Sequence, residues 1–364
     1  MSAHIRSAIF RLFLLVVFVI PMVIPQKALA GQEEAVRAYY LKNMPADFGK
    51  IAKLFAIFQE TGANMVIVGQ ASNGAPLSQK ILANVVFLAH QKGLKLYVVV
   101  PTRGNSSLLA SHSEWEDRRY DIRKGSIVTS RMIDLFNLGA QKAIIASVKD
   151  AVSSLADGIL LGEDFLLAEG DGMGRAAMDA YKRKFNHDLN ADRIFASTDN
   201  RNEEYEGFIR MKQDMLVDTA QKIIETSRET NRSVRFGMPL PFDRYADVLD
   251  RLPEYRRTVK TLQGVTADFY WINLPHHEQE GLNYRKGMEA IARTAMIVSD
   301  AAGDQRKVMI VLPLLSFSGN VLASTEVEEA TDMSHKGGKT FVAYEVKGTM
   351  PLNSQLMKKL FREP

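Results

Sequence analysis

The sequence contains no cysteine. This absence excludes disulfide bonds, thiolate metal sites and a cysteine nucleophile, so the stability of the folded chain must come from its core. The chain also lacks a large charge excess, since its formal net charge is +4 over 364 residues. Such a nearly neutral chain has no electrostatic footprint for nucleic acid, and we expect no nucleic-acid partner.

Three catalytic signatures are absent as well. The sequence has no HExxH pair, no G-x-S-x-G turn and no glycine-rich phosphate loop after its first predicted strand. These absences argue against a zinc hydrolase, a serine hydrolase of the elbow type and a dinucleotide-binding fold. His276 and His277 form the one histidine cluster, but adjacent side chains diverge, so we predict no metal site.

The first thirty residues have the pattern of an export signal. Residues 1–11 carry Arg6 and Arg11 without an acid, residues 12–24 are almost wholly apolar, and residues 28–30 read Ala-Leu-Ala. The apolar run is shorter than the roughly 20 residues that a spanning helix needs. We therefore predict a cleavable signal over residues 1–30, a periplasmic or secreted protein, and no stable membrane span after signal removal.

Apolar segments rich in β-branched residues alternate with helical patterns along the rest of the chain. Strict alternation predicts a parallel α/β sheet, and eight units favour a single closed (β/α)8 TIM barrel over residues 31–364, with long loops after strands three and four. The predicted strands cover residues 36–41, 64–69, 94–101, 158–161, 234–240, 268–274, 308–314 and 340–345. The predicted helices cover residues 47–61, 78–92, 130–151, 204–231, 285–302 and 327–336.

Acidic, amide and aromatic residues follow the carboxyl ends of these strands, where barrels bind their ligands. Glu163 and Asp164 come directly after the fourth strand. Neighbouring side chains on an extended stretch point to opposite sides, so we expect only one of the two acids to face the pocket. Glu278 or Glu345 would supply the second carboxylate. The candidate substrate-binding residues are Tyr97, Trp271, Asn273, His276, Tyr344 and Glu345.

This combination of side chains suits a carbohydrate. Aromatic faces pack on sugar rings, carboxylates and amides bind hydroxyl groups, and two acids hydrolyse a glycosidic bond without a cofactor. We therefore predict no cofactor. One acid would have to remain protonated near neutral pH, which burial or a neighbouring carboxylate can arrange.

Several short segments resemble one family of barrel proteins, and they are residues 95–101, 136–144, 156–164, 179–181 and 275–278. They resemble a superfamily of glycoside hydrolases, and most of all the C-terminal hydrolase domain of the bacterial poly-β-1,6-N-acetylglucosamine deacetylases. The resemblance implies hydrolysis or binding of an exopolysaccharide rich in N-acetylglucosamine or glucosamine.

Three acids match functional positions of that family. The resemblance implies that Glu163 and Asp164 are the catalytic-loop acids and that Glu278 is the glutamate after the sixth strand. Gly162 departs from the pattern, because the family has histidine there.

Two functions remain open from the sequence, besides a third possibility, a structural scaffold or peptide-binding envelope protein, which predicts a rim without exposed aromatic residues. The first is an exported glycoside hydrolase that uses carboxylate acid/base chemistry. The second is a non-catalytic polysaccharide-binding or export-accessory barrel of a biofilm or capsule system. Both imply a polysaccharide or oligosaccharide ligand, and the second also implies polysaccharide synthesis or export machinery as a partner.

Overall fold

Eight parallel strands close into a barrel, as the strand–helix alternation predicts. The computed structural model describes residues 36–71, 77–195, 202–241, 258–274, 284–302, 307–315, 320–336, 341–347 and 352–362. In chain order the strands are β1 (Arg37–Met44), β2 (Met65–Ala71), β3 (Lys95–Val100), β4 (Glu116–Asp121), β5 (Ser126–Ile133), β6 (Gly158–Leu161), β7 (Arg235–Pro239), β8 (Phe269–Asn273), β9 (Val308–Pro313) and β10 (Phe341–Val346). The barrel order is β1-β2-β3-β6-β7-β8-β9-β10, and β10 pairs with β1.

Helices cover the outside of the barrel or lie in its two long connections. Those with described bounds are α1 (Phe48–Glu60), α2 (Gln79–Gln91), α3 (Ser106–Ser111), α4 (Leu138–Val152), α5 (Arg175–Phe185), α6 (Ala191–Ile194), α7 (Glu203–Thr230), α8 (Tyr284–Ala302), α9 (Ser324–Lys336) and α10 (Ser354–Leu360). Side chains cap several amino termini; Asp47 accepts a hydrogen bond from the Lys50 amide at the start of α1. Within the described residues, none of these helices combines the length and apolarity that crossing a membrane requires.

Side chains of the barrel strands alternate between two apolar layers. One layer fills the barrel and the other lies between the barrel and the helices, so the strands are buried on both faces. In β1, for example, Tyr40 belongs to the interior and Tyr39 to the outer layer. The interior cluster consists of Ala38, Tyr40, Met65, Ile67, Tyr97, Leu160, Phe269, Trp271, Met309, Val311 and Ala343.

The predicted helix over residues 130–151 begins too early. Residues up to Ile133 belong to β5, which pairs with β4 as an antiparallel hairpin in the connection after β3. The helix α4 starts only after Asn137, whose side-chain oxygen accepts hydrogen bonds from the amides of Gly139 and Ala140. The cap satisfies amides that have no partner inside the helix, and this fixes the start at Leu138.

Both long connections on the carboxyl side of the barrel contain regular structure in their described residues. The connection after β3 contains α3 and the hairpin, and the connection after β6 contains α5 and α6. A separate apolar cluster joins them to the first turns of α7. Its buried members are Phe136, Met173, Ala177, Tyr181, Leu189, Ile194, Tyr205, Phe208 and Met211. The two connections therefore form one packed unit beside the carboxyl ends of the barrel strands. These strand ends are called here the barrel mouth.

Candidate active site

Glu163 lies at the barrel mouth, at the start of a short 3-10 turn that follows β6. Its Oε2 accepts a hydrogen bond of 3.3 Å from Nδ2 of Asn273 at the end of β8. Desolvation of the carboxyl group raises the pKa of Glu163. The Asn273 hydrogen bond and the positive charge of Lys42 oppose this shift, whereas Glu345 and Asp164 add to it. The side chain of Glu163 is nevertheless exposed to solvent, and the group takes up a proton more readily than a glutamate in free solution does.

Glu345 and Tyr40 are paired residues on the adjacent strands β10 and β1. Tyr40 is buried, and its ring meets the ring of Trp271 edge to face with centroids 6.3 Å apart. Burial raises the pKa of Tyr40, and the negative charges of Glu345, Glu163 and Asp164 raise it further. Its hydroxyl therefore remains protonated next to these acids, where it can donate a hydrogen bond.

Tyr40 is a candidate site residue that the sequence offered at the end of the first strand but that was not chosen as a substrate-binding candidate. The strand-end pattern places both Tyr39 and Tyr40 at the first strand but does not say which of them faces inward. The partial signal is strand alternation, because only one of two adjacent residues can face the barrel interior. Tyr39 faces outward and stacks on Phe58 of α1 with ring centroids 4.2 Å apart.

Asp164 points away from the group around Glu163. Its Oδ2 accepts hydrogen bonds from the amides of Thr102 and Gly104, both at 2.6 Å, and from the Thr102 hydroxyl at 3.2 Å. Burial raises the pKa of Asp164, and these hydrogen bonds oppose the shift. The prediction that one of the two adjacent acids faces a loop therefore agrees with the geometry, and Asp164 is the one that does so.

Two predicted sugar-binding rings are part of the barrel interior. Tyr97 is 1% exposed, packs against Phe269 with ring centroids 5.6 Å apart, and pairs with Gly158 at the amino end of β6. Trp271 is also 1% exposed, and its Nε1 donates to the carbonyl of Leu161 at 3.1 Å. Their predicted role as substrate-binding residues is therefore corrected, because core packing covers both rings.

Tyr344 also needs correction as a substrate-binding candidate. It belongs to the outer layer, where its ring meets Phe361 edge to face at 5.7 Å. Its hydroxyl lies 3.0 Å from that of Thr331 in α9. The side chain therefore faces the helices, away from the barrel mouth.

The other predicted site residues divide into two groups. Asn273 and Glu345 are half-buried at the barrel mouth, where Glu163 is exposed. His276 and Glu278 lie outside the described residues. Within the described ranges, no group of three or more histidine, aspartate or glutamate side chains is arranged to hold a metal ion.

A buried arginine joins the two long connections. Arg103 is 1% exposed, and its guanidinium forms ion pairs with Asp117 at 3.0 Å and Asp171 at 2.9 Å. It also donates to the carbonyls of Ile133 and Leu166 at 3.1 and 2.7 Å. Arg103 follows the third predicted strand closely in the sequence, and these contacts give it a structural role.

Lys212 of α7 supports the same region. Its Nζ donates to the carbonyls of Ala168, Glu169 and Asp171 at 2.8, 2.6 and 3.2 Å, and lies 4.7 Å from the centre of the Phe208 ring. Burial lowers its pKa to about 8. The sequence does contain a signal for this residue, because position 212 lies one turn before Leu216 on the apolar stripe of the predicted helix. A cation on such a stripe needs buried oxygen partners.

The fold resembles those of solved glycoside hydrolases. The glycoside hydrolase domain of PgaB (BpsB) from Bordetella bronchiseptica superposes with a TM-score of 0.68 at 13% identity, over 90% of this chain and 99% of that domain. The resemblance predicted from the sequence is confirmed for the fold. The sequence itself matches no protein-family model and no curated protein.

Two larger enzymes share the barrel. Alpha-L-fucosidase isoenzyme 2 from Paenibacillus thiaminolyticus has a TM-score of 0.56 at 12% identity, over 90% of this chain and 49% of that one. Beta-galactosidase from Bacillus circulans sp. alkalophilus has a TM-score of 0.55 at 8% identity, over 91% and 56% of the two chains. This chain therefore spans about half the length of these two enzymes, and at such identities the likeness concerns the fold.

Proposed function

We propose that the protein is an exported glycoside hydrolase that cleaves an amino-sugar exopolysaccharide such as poly-N-acetylglucosamine. The observation that carries the proposal is the group formed by Glu163, Glu345 and Tyr40 at the barrel mouth, in which the charges of both glutamates act on Tyr40. In barrels the carboxyl ends of the strands carry the active site, and two carboxyl groups suffice for glycosidic hydrolysis.

The two glutamates take different roles in this reaction. Glu163, whose pKa burial raises, donates a proton to the glycosidic oxygen as the bond to the anomeric carbon breaks. Glu345 supplies the second carboxylate, which assists the displacement at that carbon; water provides the hydroxyl group that the carbon gains, and its remaining proton returns to the carboxyl pair. Tyr40 and Asn273 position the acids and the sugar hydroxyls between them. Glu345 thus takes the second-carboxylate role that the sequence left open between Glu278 and Glu345.

The proposed substrate class rests on two likenesses. The sequence resembles the hydrolase domain of the poly-β-1,6-N-acetylglucosamine deacetylases at the segments that carry Glu163, and the fold resembles the PgaB glycoside hydrolase domain. The export signal predicted for residues 1–30 would carry the enzyme out of the cytoplasm, where it would meet such a polymer. Cell fractionation and amino-terminal sequencing of the mature protein test this part separately, and a protein retained in the cytoplasm with residues 1–30 intact would contradict it.

The decisive experiment is product analysis by mass spectrometry with partially deacetylated poly-N-acetylglucosamine. We expect the mature protein to release shortened oligosaccharides, and Glu163→Gln and Glu345→Gln each to stop their release. Glu60→Gln is the matched control. Glu60 is exposed at the carboxyl end of α1, which precedes the amino end of β2 and so lies on the side of the barrel opposite the barrel mouth.

The outcomes separate the two functions that the sequence left open. Cleavage that survives both substitutions would contradict the assigned roles. An intact polymer that the wild-type protein nevertheless retains on an affinity gel would favour the non-catalytic binding barrel. A protein that neither cleaves nor retains the polymer would exclude this substrate class.

A further inference from the structure

We propose that Asp164 is a positioning residue: its carboxylate fastens the turn that carries Glu163 to the turn after β3, and it does not itself transfer a proton. The inference rests on the proposed hydrolase function, because it names what holds the acid of that site in place. It also separates the roles of two adjacent acids that the sequence had grouped as catalytic.

Three donors converge on one oxygen of Asp164. The amides of Thr102 and Gly104 and the hydroxyl of Thr102 all donate to Oδ2. The donors belong to one turn, in which the amide of Asn105 also donates to the carbonyl of Thr102 at 3.3 Å. Hydrogen bonds from backbone amides to a carboxylate are among the stronger ones in proteins. The arrangement therefore fastens the loop after β6 to the loop after β3.

The turn that supplies these donors is itself held from its other side. Arg103 lies between Thr102 and Gly104 in the chain, and its guanidinium is buried between Asp117 and Asp171. Its backbone carbonyl also accepts a hydrogen bond of 2.7 Å from the amide of Ile133. Asp164 is therefore bound to a fixed support and not to a loose loop.

Two glycines make room for this carboxylate. A Cβ atom on Gly162 would overlap Oδ1 of Asp164. A Cβ atom on Gly104 would lie 3.2 Å from Oδ2 and 3.3 Å from the Asp164 Cβ, closer than side chains normally approach. The glycine at position 162, which departs from the histidine of the family that the sequence resembles, therefore fits the observed placement of Asp164.

Fixing Asp164 also fixes Glu163. The two residues share a single 3-10 turn, in which the amide of Phe165 donates to Gly162 and the amide of Leu166 donates to Glu163, at 2.9 and 3.1 Å. Glu163 then projects to the opposite side, toward Asn273. A displacement of about 1 Å in a catalytic group can cost about 100-fold in rate, so this support affects the chemical step.

The test compares Asp164→Asn with Asp164→Ala. The asparagine keeps an oxygen that accepts the same three hydrogen bonds but cannot act as an acid or base, whereas the alanine removes the acceptor. We expect Asp164→Ala to lower kcat about 100-fold with little change in KM, and Asp164→Asn to restore most of the loss. We also expect the amide hydrogens of Thr102 and Gly104 to exchange at least about tenfold faster in Asp164→Ala only.

A milder variant keeps the inference testable if Asp164→Ala does not fold. Thr102→Val exchanges the donor hydroxyl for a methyl group and leaves both amide donors in place. We expect it to lower kcat by about three- to tenfold with unchanged KM, because it removes one of the three hydrogen bonds. An unchanged kcat in a folded Thr102→Val or Asp164→Ala variant would overturn the inference.

Two further outcomes are decisive. An Asp164→Asn variant that keeps slow amide exchange but is as inactive as Asp164→Ala would identify Asp164 as a proton-transfer group and overturn the inference. If the wild-type protein cleaves nothing, the proposed function fails, and the fastening of the turn is then judged from exchange alone. Equal exchange at Thr102 and Gly104 in the wild-type protein and both Asp164 variants would contradict it.

Discussion

Replacing Arg103 with methionine should lower the stability of the region beside the barrel mouth far more than replacing an exposed arginine would. The guanidinium is almost completely buried and holds two carboxylates whose side chains are only 1% and 7% exposed. Removing one partner of a buried ion pair leaves an uncompensated charge and costs about 3–5 kcal/mol. A loss of this size lowers the folding equilibrium constant by a factor of more than about 100.

The loss should depend on pH. Burial raises the pKa of Asp117, and Arg103 is the main group that opposes this shift. Without Arg103, the pKa of Asp117 in the folded protein rises further above its value in the unfolded chain. A group of this kind is tolerated below its unfolded pKa and becomes destabilising as the pH rises through its folded pKa. The difference in stability between wild type and Arg103→Met should therefore be smallest near pH 4 and grow toward pH 7.

Urea unfolding followed by tryptophan fluorescence and by far-UV circular dichroism measures this difference, and the two probes should give the same transition if it is two-state. Arg210→Met is the control, because Arg210 is exposed on α7 and its loss should change stability by no more than about 0.5 kcal/mol. A loss below about 1 kcal/mol for Arg103→Met at pH 7, or an equal loss at both pH values, would refute the reasoning.

Three other variants test the remaining assignments. The pKa of Lys212 is lowered to about 8 by burial, so wild-type stability should rise relative to Lys212→Met as the pH increases from 8 toward 10.5; parallel urea titrations would check this. Gly158→Ala should cost about 1–3 kcal/mol because its Cβ would overlap the Tyr97 ring, and a double-mutant cycle should show a smaller cost in Tyr97→Ala. Lys42 lowers the pKa of Glu163, so Lys42→Met should raise that pKa and shift the alkaline limb of the pH profile of kcat to higher pH. An unchanged alkaline limb would contradict the role of Glu163 as the general acid.

The barrel was predictable because its strands are short apolar segments between turn residues, and each of the eight predicted segments overlaps a barrel strand. The hairpin was not. Its second strand, Ser126–Ile133, is largely exposed and lies directly before a genuine helix. With no buried face to impose a strong period of two, residues 130–133 of this strand were assigned to the helix that follows.

The facing of individual side chains was harder to predict than the strands. In a strand that is buried on both faces, apolar residues occupy successive positions. The sequence then does not show which positions face the barrel interior and which face the helices. Tyr344 was therefore assigned to the mouth although it faces the helices, and Tyr40 was passed over although it lies among the acids. The structural role of Arg103 could not be predicted for another reason, since its partners Asp117 and Asp171 lie 14 and 68 residues away along the chain.

The stability of the arginine cluster and the placement of Glu163 should be coupled, because one turn serves both. Thr102 and Gly104 bind Asp164, and Arg103 between them is buried in the opposite direction. Arg103→Met should thus lower kcat as well as stability. Combining it with Asp164→Ala should cost less in kcat than the product of the single effects, since either change alone already releases Glu163. Strictly multiplicative effects, measured under conditions in which all variants are folded, would mean that the two contacts act independently.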